Sequence, residues 1–275
     1  MHPRHLARRV VDAVAAQAVW PALNLSSERL LVLTYHRILP VEYLHLPLLQ
    51  PGMMTTPERL KEHIEELAPH VKFVHLDEWI ERARTRRPLP QTACALTFDD
   101  GWRDFFDHAL PILQDRGVPA TLFVISDVIG TRRLLWPDRL ARVVWNGGRG
   151  PTQEMLFLPE FDWLHTLGRH YISATRPPTQ EQIDHLITKA KGFSDLDMEE
   201  RLGFIENALG QTSENDVEHF LTWEQIEKAV CTGLVRIGSH GRNHRRLLEG
   251  MGWDVMEDEV RTSKVILEQR LGMPV

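Results

Sequence analysis

Ala93-Cys94-Ala95-Leu96-Thr97-Phe98-Asp99-Asp100-Gly101 is the stretch whose reading decides the fold. An apolar, strand-forming run, Ala93 to Phe98, leads directly into two adjacent carboxylates and a glycine. In parallel α/β sheets and barrels, side chains at the C-terminal ends of strands face the active-site mouth, and Gly101 lets the chain turn away sharply. Two carboxylates side by side repel, which raises the proton affinity of one unless a cation neutralises the other. Two explanations stand at this point. A metal ion is held by one Asp while its neighbour stays free to act as a base, or Asp99 and Asp100 merely open the next turn and cap its helix.

Working outward, short apolar runs rich in β-branched residues alternate with amphipathic segments, the mark of an α/β domain with a parallel sheet. Strands are expected at Leu30–Tyr35, Val71–Leu76, Ala93–Phe98, Ala120–Ile125 and Leu234–Gly238. Thr56 followed by Pro57 is an N-cap with Pro at the first helical position, opening PERLKEHIEELAPH. Asp77 is read as the cap of EWIERART, and Thr222 with Gln225 as a capping box for WEQIEKAV, which ends at Gly233. Further helices are expected over Trp102–Asp115, ending at Gly117, and Asp254–Arg270, ending at Gly272. Between about residues 131 and 220 the rhythm breaks into helical patterns, LLWPDRLARVVW, TQEQIDHLITKAKG and LDMEERLGFIENALG. This segment reads as a mostly helical insertion within one α/β domain, residues 29–275. Its Trp136, Trp145 and Trp163 fit helix packing, with a carbohydrate-facing surface as the alternative.

Two more strand ends carry chemistry. After LVRIG comes Ser239-His240-Gly241-Arg242-Asn243-His244, with histidines four apart. If the segment turns helically, both imidazoles lie on one face and share one metal. Beside the Asp-Asp strand they complete a two-His, one-Asp set that leaves coordination positions open for water and substrate. Thr34-Tyr35-His36-Arg37 places His36 at the same mouth, although, taken without the other motifs, a strand-end histidine bonded to a backbone carbonyl is the favoured explanation. The other histidines, His63, His75 and His219 among them, are read as surface residues.

Composition narrows the class. At 275 residues the prior of one domain per ~150 gives one to two domains. With 43% apolar and 25% charged residues, collagen-like and disordered classes fit poorly. A net charge of −6 disfavours nucleic acid as a partner. Two cysteines, Cys94 and Cys231, make no disulfide framework, whereas 14 histidines make a metal or acid/base site worth seeking. Residues 1–28 combine a basic start with an apolar stretch broken by Asp12 and Gln17. An amphipathic helix docked on the domain is expected, with a membrane-surface helix and a cleaved signal as alternatives. No run of about 18 uncharged apolar residues occurs, so no transmembrane span is expected, and the chain is placed in the cytoplasm or peripheral to the membrane.

TFDDG followed by the strand-end His-x3-His resembles the NodB-homology polysaccharide deacetylases. LTYHRI, MTTPERLKEHIEEL, FVHLDEW, GVPATLFV, LTWEQI and RIGSHGRNH resemble the same family in the same order, from about Leu30 to Val275. The resemblance implies a deformed (β/α) barrel and metal-dependent removal of N-acetyl groups from a carbohydrate substrate. It implies Asp99 as general base and Asp100, His240 and His244 as ligands of a divalent metal, zinc foremost. The Tyr-His strand resembles the permuted branch of the family, which makes His36 the general acid. Two departures stand out. The family carries Ser or Thr where this chain has Gly241, and it continues with further strands beyond the helix ending LEQRLGMPV. The expectation is therefore a barrel incomplete at its C-terminus, with a catalytically silent carbohydrate-binding or assembly protein as the alternative function. Phosphoryl transfer with magnesium is disfavoured, since no expected strand ends in a DxD pair and no GxxxxGK[ST] loop is present.

Overall fold

In the computed structural model, residues 28–43, 51–147, 161–168, 178–210 and 219–275 are described. The run that opens the sequence reading becomes the central strand, with every residue from Ala93 to Phe98 buried. Burial on both faces is what parallel strands under crossover helices require.

In chain order the strands are β1 (Arg29–Tyr35), β2 (Arg37–Ile38), β3 (Met54–Thr55), β4 (Lys72–Phe73), β5 (Thr92–Phe98), β6 (Ala120–Val124) and β7 (Val235–Ser239). The main sheet runs β1-β5-β6-β7, with β4 also on β5, and every pairing is parallel. The strands β2 and β3 form a separate parallel pair. Register aligns Tyr35 with Phe98, Phe98 with Leu122, and Val124 with Ser239, so the C-terminal ends share one rim. Among the described residues the sheet is open, with β1 and β7 at its edges.

Helix α1 (Pro57–Leu67) begins as expected: Thr56 Oγ1 accepts the Arg59 N–H at 3.2 Å, and Leu60 and Ile64 are buried. Burying each such side chain contributes about 1.5–3 kcal/mol. Helix α2 (Leu76–Arg84) corrects the sequence reading. His75 is its N-cap residue, without a side-chain cap bond, and Asp77 sits in the first turn, where its charge complements the helix dipole. The strand expected at Val71–Leu76 shrinks to β4 because that helix takes Leu76. The helix expected from Trp102 starts later. Trp102 instead bridges to Phe220, a π turn spans Phe105–Ala109, and α3 (Leu110–Arg116) follows, ending on left-handed Gly117.

Helices α4 (Trp136–Gly147), α5 (Asp162–Gly168), α6 (Gln180–Ala190) and α7 (Asp195–Ala208) lie between Thr131 and Phe220. They share a core of their own that includes Leu140, Val143, Leu186, Met198, Leu202 and Ile205. Trp136 is buried in that core, and Trp145 and Trp163 pack against it, so these rings serve helix packing. Helix α8 (Trp223–Cys231) carries the full Thr222/Gln225 capping box. Last come α9 (Trp253–Glu257), a π turn over Asp258–Thr262, and α10 (Ser263–Leu271). The expected N-terminal amphipathic helix falls on residues 1–27, outside the described residues. No helix among the described residues is long and apolar enough to cross a membrane.

Candidate active site

The parallel register delivers three sequence motifs to one rim. Asp99 N–H donates to Tyr35 O at 2.9 Å, and His240 N–H donates to Val124 O at 2.9 Å, so both leave their strands as continuations of the ladder. His36, directly after β1, lies with its Nε2 3.9 Å from Asp99 Oδ2.

Asp100 takes a left-handed conformation, φ 72°, and Gly101 follows at φ 78°. A Cβ on Gly101 would sit 3.0 Å from Val124 Cγ1, so both the turn and the close approach demand glycine. The left-handed Asp100 is a costly backbone state of the kind that clusters at functional sites. It sends a buried carboxylate into the fold. Trp102 Nε1 donates to Asp100 Oδ2 at 2.9 Å. Asp100 Oδ1 is left 3.1 Å from His240 Nε2 and 3.3 Å from His244 Nε2. No hydrogen bond of regular geometry reaches this buried oxygen.

His240 and His244 lie close together, ring centroids 5.1 Å apart, but not through the helical turn that their spacing suggested. His240 to His244 is a loop, not a helical turn, with Gly241 at φ 87° and His244 at φ 62°. What brings the imidazoles together is a set of anchors that the sequence reading missed. Buried Glu259 accepts the backbone N–H of Asn243 at 2.7 Å and of Arg245 at 3.1 Å through one oxygen. Ser263 Oγ donates to Gly241 O at 2.8 Å, and Arg242 bridges Asp127 and Asp258. A Cβ on Gly241 would stand 2.8 Å from Glu259 Oε1. The glycine that departs from the family pattern therefore makes room for the carboxylate that holds the loop.

Two further clusters frame the site. Arg37 pairs with Asp104 and lies over the Trp102 ring at 4.2 Å, while Phe220 stacks on Trp102 at 4.4 Å. Asp104 also accepts the Ile38 N–H at 2.8 Å. On the other side, Asp195 accepts from Trp136 Nε1 at 2.8 Å and from Arg246 N and Nε at 2.6 and 2.9 Å. Three histidines read as surface residues are not merely that: His63 Nδ1 meets the Tyr35 hydroxyl at 3.0 Å, and His75 and His219 are half-buried. Arg37 and Asp195 were legible only as ordinary charged residues, since their partners are distant in sequence.

Burial pushes the Asp99 carboxyl above its ordinary range, and the nearby His240 and His36 only partly offset it. Burial would raise Asp100 as well, but His240 and His244 outweigh it and hold that carboxyl low. His240 is raised despite its burial because Asp100 faces it, whereas burial holds His244 down. The two carboxylates are thus driven apart, one ionised firmly and the other inclined to hold a proton.

Asp100, His240 and His244 offer one oxygen and two nitrogens within 4.8 Å of one another. A cation would satisfy the orphaned Oδ1, and an N,N,O donor set suits zinc and similar divalent ions. The residues present fit a metal.

The polysaccharide deacetylase family profile matches residues 86–149, which include the Asp-Asp strand end. The poly-beta-1,6-N-acetyl-D-glucosamine N-deacetylase of Staphylococcus epidermidis is 30% identical over 109 residues, 37% of this chain and 37% of that protein. YxkH of Bacillus subtilis is 27% identical over 110 residues, 37% of this chain and 39% of its own length. These alignments thus span well under half of either curated relative. IcaB from Ammonifex degensii superposes with a TM-score of 0.52 at 18% identity, covering 90% of this chain and 72% of that one. The Streptococcus pyogenes deacetylase PplD gives 0.50 at 17% identity, covering 90% and 71%. The two structures establish the shared fold, an α/β architecture with a parallel sheet. The profile and the two relatives make part of this chain similar to polysaccharide deacetylases, and the two structures share its fold.

Proposed function

We propose that the protein is a metal-dependent carbohydrate N-deacetylase that hydrolyses the acetamide of an amino sugar in a glycan. The observation that carries this reading is the meeting, on one sheet rim, of a three-donor metal cluster with an adjacent carboxyl of raised proton affinity. Asp100, His240 and His244 are the ligands, and zinc is the ion to load first. When bound, such an ion lowers the pKa of water toward neutrality and polarises the acetamide carbonyl.

The chain's own groups do the rest. Asp99 is the base: it stands next to ligand Asp100 in sequence but is not part of the donor cluster, and it takes a proton from the attacking water. Water oxygen bonds to the carbonyl carbon, the carbon–nitrogen bond breaks, and acetate leaves. His36, within 3.9 Å of Asp99, gives the departing nitrogen its proton, so the second product is a free amine. Trp102 fixes the orientation of Asp100 and, with Phe220 behind it, walls the carboxylate from solvent.

Zinc content and acetate release, measured on the same preparations, test the roles. Asp99→Asn is expected to keep zinc and lose about 10²–10⁴-fold in rate, the usual contribution of a positioned base. His240→Ala is expected to lose the metal itself. Equal loss of zinc in both variants sinks the assignment.

A further inference from the structure

Beside Asp100 and His244 lies a cavity of about 250 Å³, below the roughly 300–1,000 Å³ of pockets that enclose drug-sized ligands. Its size suits one sugar ring rather than a run of them. Met53, Met54, Leu135 and Pro137 supply apolar wall. The ring of Trp102 is not a stacking platform, because Arg37 covers one side and Phe220 stacks on it as well.

Outside the metal cluster, Arg37, Asp138, Lys191, Asp195 and Arg246 also line this cavity; Asp195 and Arg246 are already bonded to each other, whereas Arg37 and Asp138 are neighbours in charge without a bond between them. Arg37 is held through its Nε by Asp104, and its Nη groups have no hydrogen-bond partner among the described residues. Asp138 sits in the first turn of α4 and hydrogen-bonds no other residue among those described. Its neighbours in charge are Arg37 and Asp100. Burial drives this carboxyl up to about 7, against the pull of Arg37. The turn that presents it is rigid: Trp136 is buried, and its indole is tied to Asp195. A carboxyl held in place yet left without a protein partner, opposite a guanidinium with free donors, is complementary to sugar hydroxyls, which both donate and accept.

We propose that Asp138 and Arg37 form the recognition pair for the ring that carries the acetamide, Asp138 accepting from a free ring hydroxyl and Arg37 donating to a neighbouring ring oxygen. Helix α4 then supplies substrate selection while the sheet rim supplies the chemistry. This rests on the deacetylase reading, but sugar binding is tested separately from hydrolysis.

An N-acetylglucosamine trimer is titrated into the zinc-loaded full chain, as wild type, Asp138→Ala and Asp138→Asn, and acetate release is followed in parallel. Asp138→Ala is expected to weaken trimer binding by at least about tenfold, with the loss in KM and kcat changed by less than about threefold. Zinc content stays the same, and Asp138→Asn carries the test if the alanine variant does not fold. Trimer binding within about twofold of wild type in both variants overturns the recognition role and leaves hydrolysis standing. A wild type that fails to bind the trimer overturns it as well. Binding that depends on Asp138 without acetate release keeps the recognition pair and sinks the hydrolytic reading instead.

Discussion

Asp99 is asked to be charged for chemistry in a place where the fold disfavours its charge. Because its folded-state pKa is raised, its contribution to stability is present below the unfolded value near 3.9 and is lost as pH rises through the folded value. The consequence is read on the metal-free protein, where no cation offsets that burial. At pH 7 the metal-free Asp99→Asn protein should unfold at a higher temperature than metal-free wild type. A gain on the order of 1 kcal/mol is typical when a strained functional group is removed, and it should shrink through about pH 4 and vanish below about pH 3, where Asp99 is protonated folded or unfolded. Equal melting temperatures at pH 7 would refute the argument. Gly241 gives a second test at this scale. With φ at 87° and Glu259 Oε1 where a Cβ would go, Gly241→Ser should cost about 1–3 kcal/mol in thermal unfolding, despite restoring the residue type the family favours. The motif shows that a hydroxyl is missing there, but it cannot show that a carboxylate from the last helices occupies its place.

The element that makes the metal cluster is the loop from His240 to Arg246, and its shape comes from the π turn and helix that follow α9. Glu259 binds two loop N–H groups through one oxygen. Glu259→Gln should therefore weaken zinc binding by about 10–100-fold without touching a ligand, as losses behind a metal site do. Competition against a chelator of known affinity measures this, and unchanged zinc affinity would mean the loop holds itself. What was legible in the sequence follows the same division. Thr56 with Pro57 and Thr222 with Gln225 cap their helices because capping is local chemistry within three residues. The strand ends before His36, Asp99 and His240 were placed within a residue because these strands, whether central and buried or at the sheet edge, are apolar runs that stop abruptly. The loop was not legible. A helical i, i+4 spacing and this anchored loop bring the same two histidines together, and only contacts to Glu259, Ser263 and Asp127 distinguish them.

At the scale of the whole molecule, the sheet rim and the four helices between Thr131 and Phe220 meet at one carboxylate. Asp195, at the start of α7, receives Trp136 from α4 and both the backbone and the guanidinium of Arg246 from the metal loop. Arg246 reaches further, to Lys191 O and Phe193 O at 2.7 Å each. The helices are therefore bound to the segment that carries His244, and they form one wall of the cavity beside it. Removing the carboxylate by Asp195→Ala leaves three donors without their acceptor, at a cost of about 1–3 kcal/mol for each buried group left unsatisfied. If the two parts act as one unit, amide hydrogen exchange should quicken both in residues 195–208 and in residues 240–246, zinc affinity should fall, and the buried strand 92–98 should keep its protection. Faster exchange confined to 195–208, with zinc affinity intact, would show that the helices ride on the sheet without shaping its metal cluster.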